Sequence, residues 1–154
     1  MKVLIVDDEP LARARLQRLL AHYPDYNHAA QASNGNEALQ QVKLQAPDIV
    51  FLDVDMPAMS GLEVATQLNK LSVPPAIIFV TAHPEHALEA LQLSAAGYLV
   101  KPVTEQNLAK TIAKRSFLSC YHIKVTFLHK SFSFLVYFYF QVGILEVTWF
   151  LRNH

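Results

Sequence analysis

Up to about residue 114, two hydrophobic patterns alternate along the chain. Short apolar runs occur at Lys2–Val6, His28–Ala32, Asp48–Asp53, Ala76–Thr81 and Gly97–Val100. Most are near-continuous, as expected of parallel strands covered on both faces. Between the runs, apolar residues recur at helical spacing. Ala12, Leu16, Leu19 and Tyr23 are expected to share one face, and Ala38, Leu39, Val42 and Ala46 a second. Leu62, Ala65 and Leu68 mark a third helix, Ala87, Leu88, Leu91 and Ala95 a fourth, and Leu108, Ala109, Ile112 and Ala113 a fifth. Ser60-Gly61-Leu62-Glu63 has the spacing of a capping box, which starts the third helix at Ser60. Pro10 suits the first turn of the first helix.

Strand and helix thus alternate five times, which predicts an α/β fold with a doubly wound, five-stranded parallel sheet. Right-handed crossovers in such a sheet bring the carboxyl ends of all strands to one edge, where ligands bind. Polar residues stand at those ends. Asp7 and Asp8 follow the first run, Asp53 ends the third, Thr81 ends the fourth and Lys101 follows the fifth. Taken singly, each has an ordinary explanation: an Asp-Asp pair is commonly a turn or cap, and a strand-terminal Thr is commonly structural. Together they place three carboxylates, a hydroxyl and an ammonium in one pocket. Close carboxylates repel by several kcal/mol per pair at intermediate dielectric, roughly, so a compensating cation is expected. Mg²⁺, a hard ion with oxygen ligands, suits the set, and Lys101 adds a second positive charge. Phosphoryl transfer to a carboxylate needs positioning and charge stabilisation of this kind.

These residues resemble the receiver domain of bacterial two-component response regulators. The resemblance rests on Val3-Leu4-Ile5-Val6-Asp7-Asp8-Glu9-Pro10, Asp53-Val54-Asp55-Met56-Pro57-Ala58-Met59-Ser60-Gly61, Phe79-Val80-Thr81-Ala82 and Lys101-Pro102, and covers residues 1 to about 114. Asp8-Glu9-Pro10-Leu11-Ala12-Arg13, and His86-Ala87-Leu88-Glu89-Ala90 ahead of Gly97-Tyr98-Leu99-Val100, look like the LytR/AlgR branch, whose members usually carry a LytTR DNA-binding domain. The resemblance implies a flavodoxin-like receiver fold and a phosphorelay switch rather than a turnover enzyme. It implies phosphorylation of Asp53 by a sensor histidine kinase and Mg²⁺ held by Asp8, Asp53 and the Asp55 backbone carbonyl, with Asp7 acting through water. Thr81 and Lys101 would contact the phosphoryl group, Thr81 and Tyr98 would switch, and the Lys101–Pro102 bond would be cis. The surface of the fourth helix, fifth strand and fifth helix would be the output face, where relatives often form homodimers. The Asp55 side chain is expected either to be a solvated loop carboxylate or to tune the lifetime of the acyl phosphate. His83 and His86 are read as surface histidines of the switch helix, because no Cys or third His lies near enough in sequence to complete a zinc set.

Two other function classes compete. Asp53-Val54-Asp55 superficially matches the Asp-x-Asp of haloacid-dehalogenase-type phosphatases, but that motif normally ends a first strand, and the reading leaves Asp7 and Asp8 without a task. A binding module that signals without phosphorylation would not need the complete set.

Composition changes the picture near residue 114. Hydrophobic residues are 52% and charged residues 17%, an ordinary globular balance. The formal net charge of zero hides two unlike segments. Residues 1–114 carry 12 acids against nine Lys/Arg, a net of −3, whereas 115–154 carry one acid, Glu146, against four Lys/Arg. All 18 alanines and all eight prolines precede the change, and 11 of the 16 aromatics follow it. The acidic first segment opposes contact with a nucleic-acid backbone; DNA binding would require a LytTR output domain, and none is evident. The tail reads in three ways: a sequence whose coding frame was lost, a divergent β-rich output or dimerisation segment, or a membrane anchor. Phe132–Leu151 has Glu146 as its sole charge and is 20 residues long, enough to span a bilayer, though its β-branched and aromatic content equally suits strands. The receiver segment itself gives no reason to expect a membrane partner. The single Cys120 rules out an internal disulfide, and the apolar run at the amino end is too short for a signal peptide, so the cytoplasm is the expected compartment.

Overall fold

The structure, a computed structural model, describes residues 1–113 except 27, 84 and 86. The expectations for 115–154, and the boundary placed at 114, lie outside the described residues. Strands β1 (Lys2–Val6), β2 (His28–Ala32), β3 (Ile49–Asp53), β4 (Ala76–Thr81) and β5 (Gly97–Val100) form one sheet in the order β2-β1-β3-β4-β5. Every pairing is parallel. The helices are α1 (Pro10–Leu20), α2 (Gly35–Gln45), α3 (Gly61–Leu68) and α4 (Ala87–Gln92), with α5 over 105–113. This is the doubly wound, flavodoxin-like arrangement that the alternating pattern predicts. The third strand opens at Ile49 and not at Asp48. Asp48 instead accepts the Lys2 N–H through Oδ2 at 2.7 Å, so its side chain serves as a clasp where the strand begins.

Because strand side chains alternate between faces, the sheet divides the core into two. Leu4, Val6, Val50, Leu52, Ile77 and Phe79 pack with Ala38 and Val42 of α2, Val64, Ala65 and Leu68 of α3, and Ala90 of α4. Val3, Ile5, Ile49, Phe51, Ile78, Val80 and Leu99 pack on the other face with Leu16 and Leu20 of α1 and Leu108 and Ile112 of α5. Each large apolar side chain buried this way contributes roughly 1.5–3 kcal/mol relative to exposure.

Several expected helix faces rotate slightly. The α1 stripe runs through Leu16 and Leu20, with Leu19 and Tyr23 at its margin. Val64, absent from the expected α3 stripe, is fully buried, while Leu62 is only partly so. Ala46 is exposed and outside the core, because it ends α2 in the left-handed region at φ 46°. Ala113 is likewise exposed. Ala87 and Ala95 are half-buried, and the side chains of Leu88 and Leu91 lie outside the described set.

Pro10 occupies the first turn of α1. The capping box at Ser60 is complete: its hydroxyl accepts the Glu63 N–H, and Glu63 accepts the Ser60 N–H at 2.9 Å. Among the described residues no helix is long and apolar enough to cross a membrane.

Candidate functional site

The site lies at the carboxyl edge of the sheet, where β1, β3 and β4 end. Asp7 (4% exposed), Asp53 (3%) and Thr81 (0%) are the buried polar residues among those described. Three apolar strands thus deliver three polar groups to water-poor positions, where each needs a partner.

Lys101 partners two of them. Its Nζ lies 2.8 Å from Asp53 Oδ2 and 2.8 Å from Asp7 Oδ2. It reaches them from the segment after β5, whose Lys101–Pro102 peptide is cis. The Lys101 backbone N–H donates to the Thr81 carbonyl at 2.8 Å, which fixes the root of the side chain. Asp7 Oδ1 also accepts the Glu9 N–H at 2.9 Å, closing the turn between β1 and α1. Arg13, one turn into α1, donates through Nη1 to the carbonyls of Asp7 and Asp8 at 2.6 and 3.3 Å. That clamp was not foreseen. The available signal was a basic residue four positions beyond an acidic loop, where it can turn back over the helix start.

Oxygens of Asp7, Asp8 and Asp53 lie within 4.8 Å of one another, with Asp8 exposed to solvent. The electrostatics follow. Burial lifts the Asp53 carboxyl above the usual carboxylate range and Asp7 lifts it further, outweighing the pull of Lys101. The two carboxylates hold the Lys101 ammonium above its usual range against its own burial. One ammonium facing three carboxylates leaves the cluster short of positive charge. A hard divalent cation with all-oxygen ligands fits this donor set.

Asp55 does not simply project into solvent. Its Oδ2 accepts the Thr81 hydroxyl at 2.9 Å, and its backbone N–H points at Asp53 Oδ1 at 3.4 Å. Thr81 Oγ1 in turn accepts the His83 N–H at 3.1 Å, and Tyr98 donates its phenol to the His83 carbonyl at 2.6 Å. Tyr98 is half-buried, packs against the α2–α4 core, and is pushed up in pKa by burial and then by Glu85 and Asp55. The His83 side chain is exposed, with Nδ1 2.9 Å from Glu85. His86 lies outside the described residues.

The loop between β3 and α3 is held from beneath. Val54 and Met56 are buried, and Ala58 takes φ 66°. Gly61 donates its N–H to the Val54 carbonyl at 2.8 Å, and a Cβ on Gly61 would lie 2.0 Å from the Asp53 carbonyl oxygen. The start of α3 therefore rests directly on the backbone of Asp53, and a side chain there would displace it.

Sequence and structure comparisons bear on the family and the fold. The family model for the response regulator receiver domain matches residues 3–113. The positive alginate biosynthesis regulatory protein of Pseudomonas aeruginosa is 55% identical over 117 residues, covering 75% of this chain and 47% of that protein. The sensory transduction protein LytT of Bacillus subtilis is 42% identical over 114 residues, covering 74% and 47%. The chain thus spans about half the length of these curated relatives. Among solved structures, the response regulator TrrA of Thermotoga maritima, in complex with Mg²⁺ and BeF, superposes with a TM-score of 0.67 at 34% identity, covering 74% of this chain and 97% of that one.

Proposed function

Because the chain belongs to the response regulator receiver domain family, we propose that it is a phosphorelay switch that accepts a phosphoryl group on Asp53 from a sensor histidine kinase. The observation that carries this reading is the buried Asp53 carboxylate, tied to Lys101 at 2.8 Å and set beside Asp7 and Asp8. A carboxylate nucleophile gains a bond to phosphorus as the bond to the donor breaks. The three equatorial oxygens then need positive charge and hydrogen-bond donors around them.

Lys101 is within reach to neutralise one such oxygen, and the Thr81 hydroxyl, at the end of the neighbouring strand, is the donor for another. Asp8, Asp53 and the backbone carbonyl of Asp55 would hold Mg²⁺, with Asp7 acting through water. When bound, that ion supplies charge neutralisation between the acids and the incoming phosphate. Asp7 and Arg13 fix the loop that presents Asp8. The domain would lose its phosphoryl group slowly to water, as a switch and not as a turnover enzyme. The Asp-x-Asp phosphatase alternative needs Asp55 as a proton donor, whereas its Oδ2 is an acceptor from Thr81.

The output would pass through the α4–β5–α5 face. β5 is an edge strand and Val100 is 40% exposed there, which suits a homodimer of receivers. Transcription regulation through DNA would require a LytTR-type output domain, in keeping with the regulators this chain resembles. The cytoplasm is the compartment in which such a kinase would deliver the phosphoryl group.

The test is incubation with acetyl phosphate and Mg²⁺ followed by intact-mass measurement. Wild type should gain one phosphate, and Asp53→Ala none. Labelling of both proteins, or of neither, would count against Asp53 as the acceptor.

A further inference from the structure

We propose that Asp55 is a positioning residue: its carboxylate holds the Thr81 hydroxyl back from a phosphoryl group on Asp53, and so sets how readily the domain engages one. The proposal rests on the phosphoacceptor reading of Asp53.

The argument begins with proton counting. A threonine hydroxyl has one proton to donate and lone pairs to accept with. Here the lone-pair side of Thr81 Oγ1 takes the His83 N–H at 3.1 Å, and the proton goes to Asp55 Oδ2 at 2.9 Å. The same proton is the one a phosphoryl oxygen on Asp53 would need. The two bonds exclude each other, and phosphoryl engagement must break the bond to Asp55. Thr81 is 0% exposed, so water is a poor substitute acceptor and the choice is between two anions.

The consequence reaches Tyr98. The His83 peptide is bonded at both ends, its N–H to Thr81 and its carbonyl to the Tyr98 phenol at 2.6 Å. Once Thr81 leaves Asp55, one anchor of that peptide changes, and the peptide is what holds the Tyr98 hydroxyl. Asp55 would thereby bias the aromatic side chain without touching it.

A simpler account is that Asp55 merely repels an incoming anion. A double-mutant cycle separates the two. The probe is beryllofluoride with Mg²⁺, titrated calorimetrically into wild type, Asp55→Ala, Thr81→Ala and the double variant. Release of Thr81 should tighten binding about three- to tenfold in Asp55→Ala, given the strength of a charge-assisted hydrogen bond. In the Thr81→Ala background, removing Asp55 should change affinity less than about twofold. Asp55→Asn, which keeps an acceptor oxygen and loses the charge, should fall between wild type and Asp55→Ala. Equal gains in both Thr81 backgrounds, or an Asn variant matching the Ala variant, would overturn the proposal in favour of simple repulsion. The Thr81 methyl resonance gives a readout independent of the probe: Asp55→Ala should shift it, and an unmoved resonance overturns the latch on its own. A wild type that takes neither beryllofluoride nor acetyl phosphate label would instead defeat the phosphoacceptor reading.

Discussion

At the scale of single residues, Asp53 is the most informative position. Its carboxyl is raised chiefly by burial, so across the interval between the ordinary and the raised pKa the folded chain keeps a proton that the unfolded chain gives up. The stability tied to that proton is present below the unfolded pKa and is lost as pH rises through the folded one. In Mg²⁺-free buffer, Asp53→Asn, which has no such proton, should gain on wild type as pH rises through that interval. Denaturant titrations at several pH values would show a widening difference, and parallel pH profiles would contradict it. The sequence made Asp7, Asp53, Thr81 and Lys101 visible because each interrupts or follows an apolar run. It did not reveal that Asp55 accepts the Thr81 hydroxyl or that Arg13 clamps two carbonyls. Those contacts depend on loop geometry that hydrophobic periodicity does not encode.

At the scale of elements, two helix ends make opposite predictions. Ala46 ends α2 with φ 46° and is exposed, a conformation that favours glycine. Ala46→Gly should stabilise the domain by about 0.5–1 kcal/mol, read as a rise in thermal midpoint of a few degrees. Gly61 is the converse, since its missing Cβ makes room for the Asp53 carbonyl. Gly61→Ala should destabilise by about 2–4 kcal/mol through overpacking against backbone. It should also slow labelling by acetyl phosphate on the order of 10- to 100-fold by moving Asp53. A variant that is less stable yet labels at the wild-type rate would separate the two effects. The strands were largely legible because parallel strands buried on both faces are uniformly apolar. Helix faces were less so: the α1 stripe drifts from Leu19 to Leu20 and α3 buries Val64, because several apolar residues on each helix compete for a single inward position.

At the scale of the molecule, an ion held at the acidic edge would be linked to folding. A ligand that binds only the folded state stabilises it by about 1.4 kcal/mol at ten times its dissociation constant. Adding MgCl₂ should therefore raise the thermal midpoint of wild type and do so far less for Asp8→Ala; identical shifts would place the ion elsewhere. The division of the core by the sheet has another consequence, in time rather than in space. Leu16 and Leu20 share their layer with Leu99, Leu108 and Ile112, residues that leave the ribosome about 79 to 96 positions later. At synthesis rates of about 5–20 residues per second, α1 waits roughly 4–20 s for these neighbours. The nascent protein is thus expected to be most dependent on chaperones just before β5 and α5 emerge, and ribosome-bound chains halted short of Leu99 should be markedly more protease-sensitive in α1 than chains halted well beyond Ile112.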